Sequence, residues 1–335
     1  MAGLAAVMEP YADVVESYAS FAREAADSPC FVEWSNGVVG DPEIQELIAT
    51  LPPVKQQPNL VYAAARWHGA PAPGPYAGLR EVLLTSWDAV RGTILARSTQ
   101  TNEVGRLATL LPALAQCSPL DGGPLALLEV GASAGLNLFP DHYRYVWRHE
   151  DGTSYSLGEG PELSCDITGD VPLPAAVPAI GWRGGVDLNP LDVTDEDAMA
   201  WLTNLVWPEQ DDRRDRLAAA IEVAAADPPL LVAGDLVDTL PDLLDQLPGD
   251  VSPVVFHSAV IAYLEPARRE DFHDLMSGLV RAGRCRWVSN EGANVLPRIS
   301  RSMPESRQRS TRFVLGVDGH AVALTHGHGR TMEWL

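Results

Sequence analysis

The sequence predicts an α/β protein: a mostly parallel sheet closed by an antiparallel C-terminal hairpin, preceded by an all-helical N-terminal domain. Three observations carry this. From about residue 8 to 117 apolar residues recur at helical spacing, as in Tyr11, Val14, Val15, Tyr18 and Phe21, or Leu79, Val82, Leu83, Trp87, Val90 and Ile94. After Asp121-Gly122-Gly123, short apolar runs alternate with longer helical patterns, which is the texture of βαβ units. Near the end, Arg312–Val317 and His320–Thr325 flank Asp318-Gly319, a dipeptide favoured in two-residue hairpins.

Turn residues at Asn36-Gly37, Gly40-Asp41-Pro42, Pro52-Pro53 and Pro71 to Pro75 cut the first region into five or so helices with no convincing strand. We place this helical domain at 1–120 and the sheet domain at 121–335. The strand-like runs of the sheet domain are Leu125–Val130, Gly181–Leu188, Leu230–Val232, Pro253–Phe256 and Cys285–Ser289. Between the first two, the stretch of about 152–177 is rich in Gly, Ser, Pro and Asp and too long for an ordinary connection, so it reads as an inserted hairpin or lid-like loop.

Composition excludes several functions. A net charge of −21 repels polyphosphate, which argues against nucleic acid as a partner. Lys55 is the only lysine, and it sits in Pro-Val-Lys-Gln-Gln rather than after a glycine-rich loop. That disfavours a Walker A site and a lysine Schiff base. Cys30, Cys117, Cys165 and Cys285 are far apart, which points to reduced thiols rather than a disulfide frame or zinc knuckle. The segment Met1–Pro10 has no basic region, and no run of about 20 apolar residues occurs. A cytoplasmic protein without membrane association is expected.

Chemistry gathers at the ends of the apolar runs. In Glu129-Val130-Gly131-Ala132-Ser133-Ala134-Gly135-Leu136-Asn137 a buried strand meets a tight glycine turn and a helix start, where free N–H groups could meet a carboxylate. The second run ends in Asp187-Leu188, an acid able to accept both hydroxyls of a ribose. The third ends in Asp235-Leu236 and the fourth in His257-Ser258. Open α/β sheets bind ligands at such strand ends.

These segments resemble the motifs of class I methyltransferases: Glu129 to Gly135 the first, Gly185 to Pro190 the second, Gly234-Asp235 the third, Val254 to Ser258 the fourth. The closing hairpin is similar to that superfamily's reversed last strand. More narrowly, Gln100-Thr101-Asn102-Glu103, Gly131–Asn137, Asp187–Asp192 and Ser289-Asn290-Glu291-Gly292 resemble an uncharacterised bacterial family, domain of unknown function 2332. The resemblance implies a Rossmann-like methyltransferase fold that binds S-adenosylmethionine and acts on a small molecule. It implies Gly131 and Gly135 shaping the loop under the methionine part of the cofactor, Asp187 at the ribose, Asp235 with the Leu236 backbone facing the adenine, and Glu129, Ser133 and Leu188 as further cofactor-binding residues. His257 would stand beside the methyl group, where a histidine could act as general base; a hydrogen-bonded structural histidine at a strand end is the equal alternative. Ser133 replaces the middle glycine, and the interval from Glu129 to Asp187 exceeds the usual ~20 residues.

Gln100, Asn102 and Arg106 are candidates for contacting cofactor or substrate; the plainer alternative makes Asn102 a helix cap. Two rival functions stay open. One is a nucleoside-binding protein of the same fold without catalysis. The other is a serine esterase, because Gly131-Ala132-Ser133-Ala134-Gly135 also fits a G-x-S-x-G nucleophile elbow with Asp235 and His326 in hydrolase order. His326 and His328 alternate near His320, but without a neighbouring Cys or clear acid partner no metal site is assigned. Trp201 and Trp207 read as core, and Asp211 to Asp215 as a solvated face.

Overall fold

The computed structural model describes residues 13–119 and 122–335. The expectations for Met1–Pro10, Tyr11 and Asp121 lie outside the described residues. The chain divides into two units: the first takes in residues up to Thr101 and then Glu196–Asp215, the second Asn102–Asp195 and Arg216–Leu335.

The first unit holds α1 (Val14–Glu24), α2 (Pro29–Val39), α3 (Pro42–Ala49), α4 (Pro58–Trp67), α5 (Tyr76–Thr85) and α6 (Trp87–Ala96). Their starts follow local chemistry. Asp13, Ser28 and Asp41 each accept from a first-turn backbone N–H, and proline opens α2, α3 and α4, where a missing N–H costs nothing. The apolar stripes meet in a core that includes Tyr18, Phe21, Phe31, Trp34 and Tyr62. Trp201 belongs to that core and Trp207 packs against it, so both tryptophans are core residues.

The second unit opens with α7 (Leu107–Gln116) and is built on one sheet of eleven strands. These are β1 (Leu125–Val130), β2 (Arg144–His149), β3 (Ser154–Leu157), β4 (Glu162–Thr168), β5 (Ile180–Asp187), β6 (Leu230–Ala233), β7 (Ser252–Ser258), β8 (Arg286–Gly292), β9 (Phe313–Val317), β10 (His320–Thr325) and β11 (Thr331–Trp334). Helix α8 (Glu196–Asn204) belongs to the first unit, the division between units falls within α9 (Asp211–Ala226), and α10 (Leu236–Asp245), α11 (Pro266–Arg281) and the short α12 (Pro297–Ser300) belong to the second.

Strand order is β3-β2-β4-β11-β10-β9-β8-β7-β1-β5-β6. Strands β6, β5, β1, β7 and β8 run parallel, and β9 is antiparallel to β8. The chain leaves β1 for β2, β3 and β4 at the far side of the sheet, comes back beside β1 as β5 and β6, then crosses to the other side of β1 for β7 and β8. That reversal makes the carboxyl end of β1 a topological switch point, where open α/β sheets bind ligands. The expected α/β class with a mostly parallel sheet is present. The Asp318-Gly319 turn joins β9 to β10 with both residues at positive φ, 50° and 83°, as a two-residue hairpin requires.

Two local expectations are corrected. No α-helix starts after the glycine turn: the chain makes two 3₁₀ turns, Leu136–Leu138 and Pro140–His142, and passes into β2. Pro140 supplies the reason, since its ring would strike the carbonyl of Leu136 in a helix begun there. The 152–177 stretch, read as an inserted hairpin or lid-like loop, supplies β3 and β4 to the main sheet, with β3 antiparallel to β2 and β4 parallel to both β2 and β11. The short strand β11 gave no separate signal; its partner is too remote in sequence for local pattern to reveal.

Candidate functional site

The site forms where β1 and β5 end side by side, with Val130 opposite Val186. Beyond Val130 the chain turns sharply: Gly131, Ser133 and Gly135 all have positive φ, at 72°, 53° and 71°. The turn is strapped to β5, since the N–H groups of Gly131 and Ala132 both donate to the Val186 carbonyl. Asp187 completes the strap. Its Oδ2 accepts from the Ser133 N–H at 2.8 Å and its Oδ1 from the Asn189 N–H at 2.8 Å, while Leu188 beside it is 74% exposed.

Asn102 holds the turn from the other side. Its Nδ2 donates to the Ala132 carbonyl and its Oδ1 accepts from the Leu136 N–H, both at 2.9 Å and buried. This clamp replaces the cap reading: the residue that caps the next 3₁₀ turn is Glu103, which accepts from the Gly105 N–H. Arg106 is buried as well, donating through Nε to the Gly327 carbonyl and through Nη1 to the Ser258 carbonyl. Gln100 belongs to the helical unit.

The glycines are explained by the protein's own packing. A Cβ on Gly131 would lie 2.2 Å from Val260 Cγ2, and one on Gly135 would lie 2.7 Å from Pro229 Cγ. The N–H groups of Ser133 and Leu136 are spent on Asp187 and Asn102, and without a helix behind the turn there is no helix dipole to meet an anion.

Beneath the turn lies Glu129, buried on the central strand. Asn137 Nδ2 donates to its Oε1 at 2.9 Å, whereas Glu129 Oε2 and Asn137 Oδ1 are buried acceptors with no hydrogen-bond partner. Burial pushes the Glu129 carboxyl up to about 8, against the opposing pull of Asn137 and the nearby Arg106 charge. A carboxyl raised to about 8 carries a proton at neutral pH, so one of its oxygens is there an O–H donor.

Asp235 and His257 are committed differently from expectation. Asp235 caps α10 by accepting from the Val237 and Asp238 N–H groups, and it pairs with Arg268 at 2.7 Å; Leu236 is buried in the core behind it. His257 is wholly buried. Its Nε2 accepts from the Trp287 indole at 3.1 Å, which leaves the proton on Nδ1 to be donated to Glu291 Oε1 at 2.8 Å. With both nitrogens engaged, the ring has no open lone pair for a substrate proton. Glu291 is the residue that the sequence reading passed over, although Ser289-Asn290-Glu291-Gly292 was noted as a family segment.

A family model described as "Uncharacterized protein conserved in bacteria (DUF2332)" matches residues 15–334. The chain belongs to this family. No curated protein matches it. Three of the segments that carried the family resemblance meet in one network here: Asn102 clamps the glycine turn, and the turn's Ser133 is tied to Asp187. His326 and His328 have ring centroids 5.6 Å apart, with His328 3.8 Å from Glu103; among the described residues no three His, Cys, Asp or Glu form a metal-holding group.

Two predictions follow from this geometry. Asn102→Ala strands a buried carbonyl and a buried N–H, so urea unfolding should show a loss of about 1–3 kcal/mol. For Glu129 the folded value of about 8 lies above that of an unfolded carboxyl. Its contribution to stability is therefore fully present at acid pH and is lost as pH rises through about 8. Glu129→Gln, which keeps an acceptor for Asn137, should match the wild type near pH 5 and exceed it by roughly a few kcal/mol near pH 9.

Proposed function

We propose that this chain is an S-adenosylmethionine-dependent methyltransferase acting on a small molecule, built on a Rossmann-like methyltransferase sheet. The observation that carries the reading is the pairing of a glycine turn after β1 with a half-buried carboxylate, Asp187, at the tip of the adjacent parallel strand. The order β6-β5-β1-β7-β8 followed by a reversed β9 supports it, since this is the frame in which those two tips face one crevice.

The residues present fit such a ligand in charge. Asp187 uses one lone pair on each oxygen for the backbone and keeps others for a ribose diol. The exposed Leu188 offers an apolar face to an adenine. The raised Glu129 carboxyl keeps its proton at neutral pH and leaves the negative charge beside the turn to Asp187. When bound, the sulfonium cofactor supplies an activated methyl group with a good leaving group. Holding and orienting the acceptor then matters more than covalent help from the protein. A net charge of −21 supports a small-molecule acceptor rather than nucleic acid or an anionic membrane, and scattered buried thiols support a cytoplasmic setting. Among the described residues no helix is long and apolar enough to cross a membrane.

A second reading, nucleoside binding without catalysis, is favoured by Val260 packed on Gly131 and by the engaged ring of His257. The esterase reading draws on the strained φ of Ser133. Against it, β1 is the first strand among the described residues, no α-helix follows the elbow, and Asp235 is tied to Arg268 and the α10 cap.

Calorimetric titration with S-adenosylmethionine and S-adenosylhomocysteine should give saturable binding to the wild type. Leu188→Ala, which leaves the loop's hydrogen bonds in place, should weaken that binding by about fivefold, and Asp187→Ala by about tenfold or more. A folded wild type that takes up neither compound removes the proposal. Ser133→Ala should leave cofactor binding unchanged; abolition of a measured ester hydrolysis by the same change would instead establish the hydrolase.

A further inference from the structure

Resting on the nucleoside site read above, we propose that Ser258 is its second fixed point: a hydroxyl donor, across the glycine turn from Asp187, that binds the carboxylate of the cofactor's amino-acid tail. Strand register puts it there. Glu129 on β1 pairs with Gly185 on β5 and with Phe256 on β7, so two residues further on Asp187 and Ser258 stand level on either side of Gly131. Two strand spacings separate them by about 10 Å. Side chains alternate along a strand, so Ser258 projects to the same face as Glu129 and Asp187. His257 projects to the opposite face, where it meets Phe272 and Trp287. The residue of β7 that shares a face with Asp187 is thus one position beyond the histidine.

Ser258 is prepared as a donor from behind. Thr325 Oγ1 donates to Asn290 Oδ1 at 2.7 Å, and Asn290 Nδ2 donates to Ser258 Oγ at 3.1 Å. Thr325 and Asn290 are fully buried, whereas Ser258 is partly exposed. Since its oxygen already accepts from Asn290, the hydroxyl must send its proton elsewhere, and among the described residues nothing accepts it. Hydrogen bonds that run one way along such a chain polarise one another and strengthen the last donor.

The surroundings of this hydroxyl suit an anion. Arg106, 6% exposed, donates through Nη1 to the Ser258 carbonyl at 3.1 Å, which sets a guanidinium charge beside it. Glu129 on the same face keeps its proton at neutral pH and adds no opposing charge. The glycine turn has far less to offer. The N–H groups of Gly131 and Ala132 are spent on Val186, that of Ser133 on Asp187, that of Gly135 on Ala132 and that of Leu136 on Asn102. A nucleoside with its ribose on Asp187 and its tail laid across Gly131 therefore finds its carboxylate donor at Ser258.

Calorimetric titration with three compounds tests this: S-adenosylhomocysteine, its decarboxylated form, and 5′-methylthioadenosine, which keeps the nucleoside and lacks the tail. The wild type should bind S-adenosylhomocysteine about tenfold to a hundredfold more tightly than the decarboxylated form. Ser258→Ala should lose about that factor for S-adenosylhomocysteine and shift 5′-methylthioadenosine by no more than about twofold. The proposal is overturned if the variant keeps full affinity for S-adenosylhomocysteine, or if it loses as much for 5′-methylthioadenosine. Should Ser258→Ala not fold, Ser258→Cys, which puts a weak S–H donor in the same place, should show the same selective loss, and an unselective one overturns the proposal. A wild type that binds all three compounds alike retains the nucleoside site and loses the role of Ser258; a folded wild type that binds none of them removes the methyltransferase reading itself.

Discussion

The hydrogen bond from the Ser133 N–H to Asp187 ties the ends of β1 and β5 into one edge, and the rest of the site is arranged around it. Ser133 can adopt its left-handed conformation because three groups hold the turn at once: Asp187 on its N–H, the Val186 carbonyl on the two preceding N–H groups, and Asn102 across Ala132 and Leu136. Strain of this kind persists only where surrounding contacts over-determine it. Glycine at 131 and 135 lets neighbouring side chains, Val260 and Pro229, close in on the turn. The loop is consequently a rigid platform rather than an open cradle.

Rigidity on this edge has a cost on the two faces of the sheet. Glu129 on one face and Glu291 on the other are carboxylates drawn into the interior, each with one oxygen satisfied and one unpartnered. Their surroundings differ in what they ask for. Glu129 has a single donor, Asn137, and is pushed up to about 8, so it holds a proton at neutral pH. Glu291 receives three donors on one atom, which fixes the orientation of its carboxyl.

His257 illustrates how a residue at a plausible strand end changes role once its neighbours are known. A histidine following a buried strand reads naturally as a base. In the fold, Trp287 from the adjacent strand takes its Nε2 and Glu291 takes its Nδ1, so both ring nitrogens are spent inside the protein. Asp235 follows the same logic: placed at a strand end as expected, it is spent on the first turn of α10 and on Arg268.

The sequence by itself determined the α/β class, the helical opening, strands β1 and β10 to the residue, and the Asp318-Gly319 turn, because these rest on local periodicity and on backbone conformations that few residues allow. It also contained, unread, the proline at 140 that stops a helix behind the glycine turn. Only the tertiary structure decided that β2, β3, β4 and β11 extend the main sheet, since parallel pairing joins segments far apart in the chain and leaves no local mark. It likewise decided which polar groups are spent and which are left over. Asn102 and Leu136, or His257 and Glu291, are 34 residues apart in each case, and only folding sets one as the partner of the other.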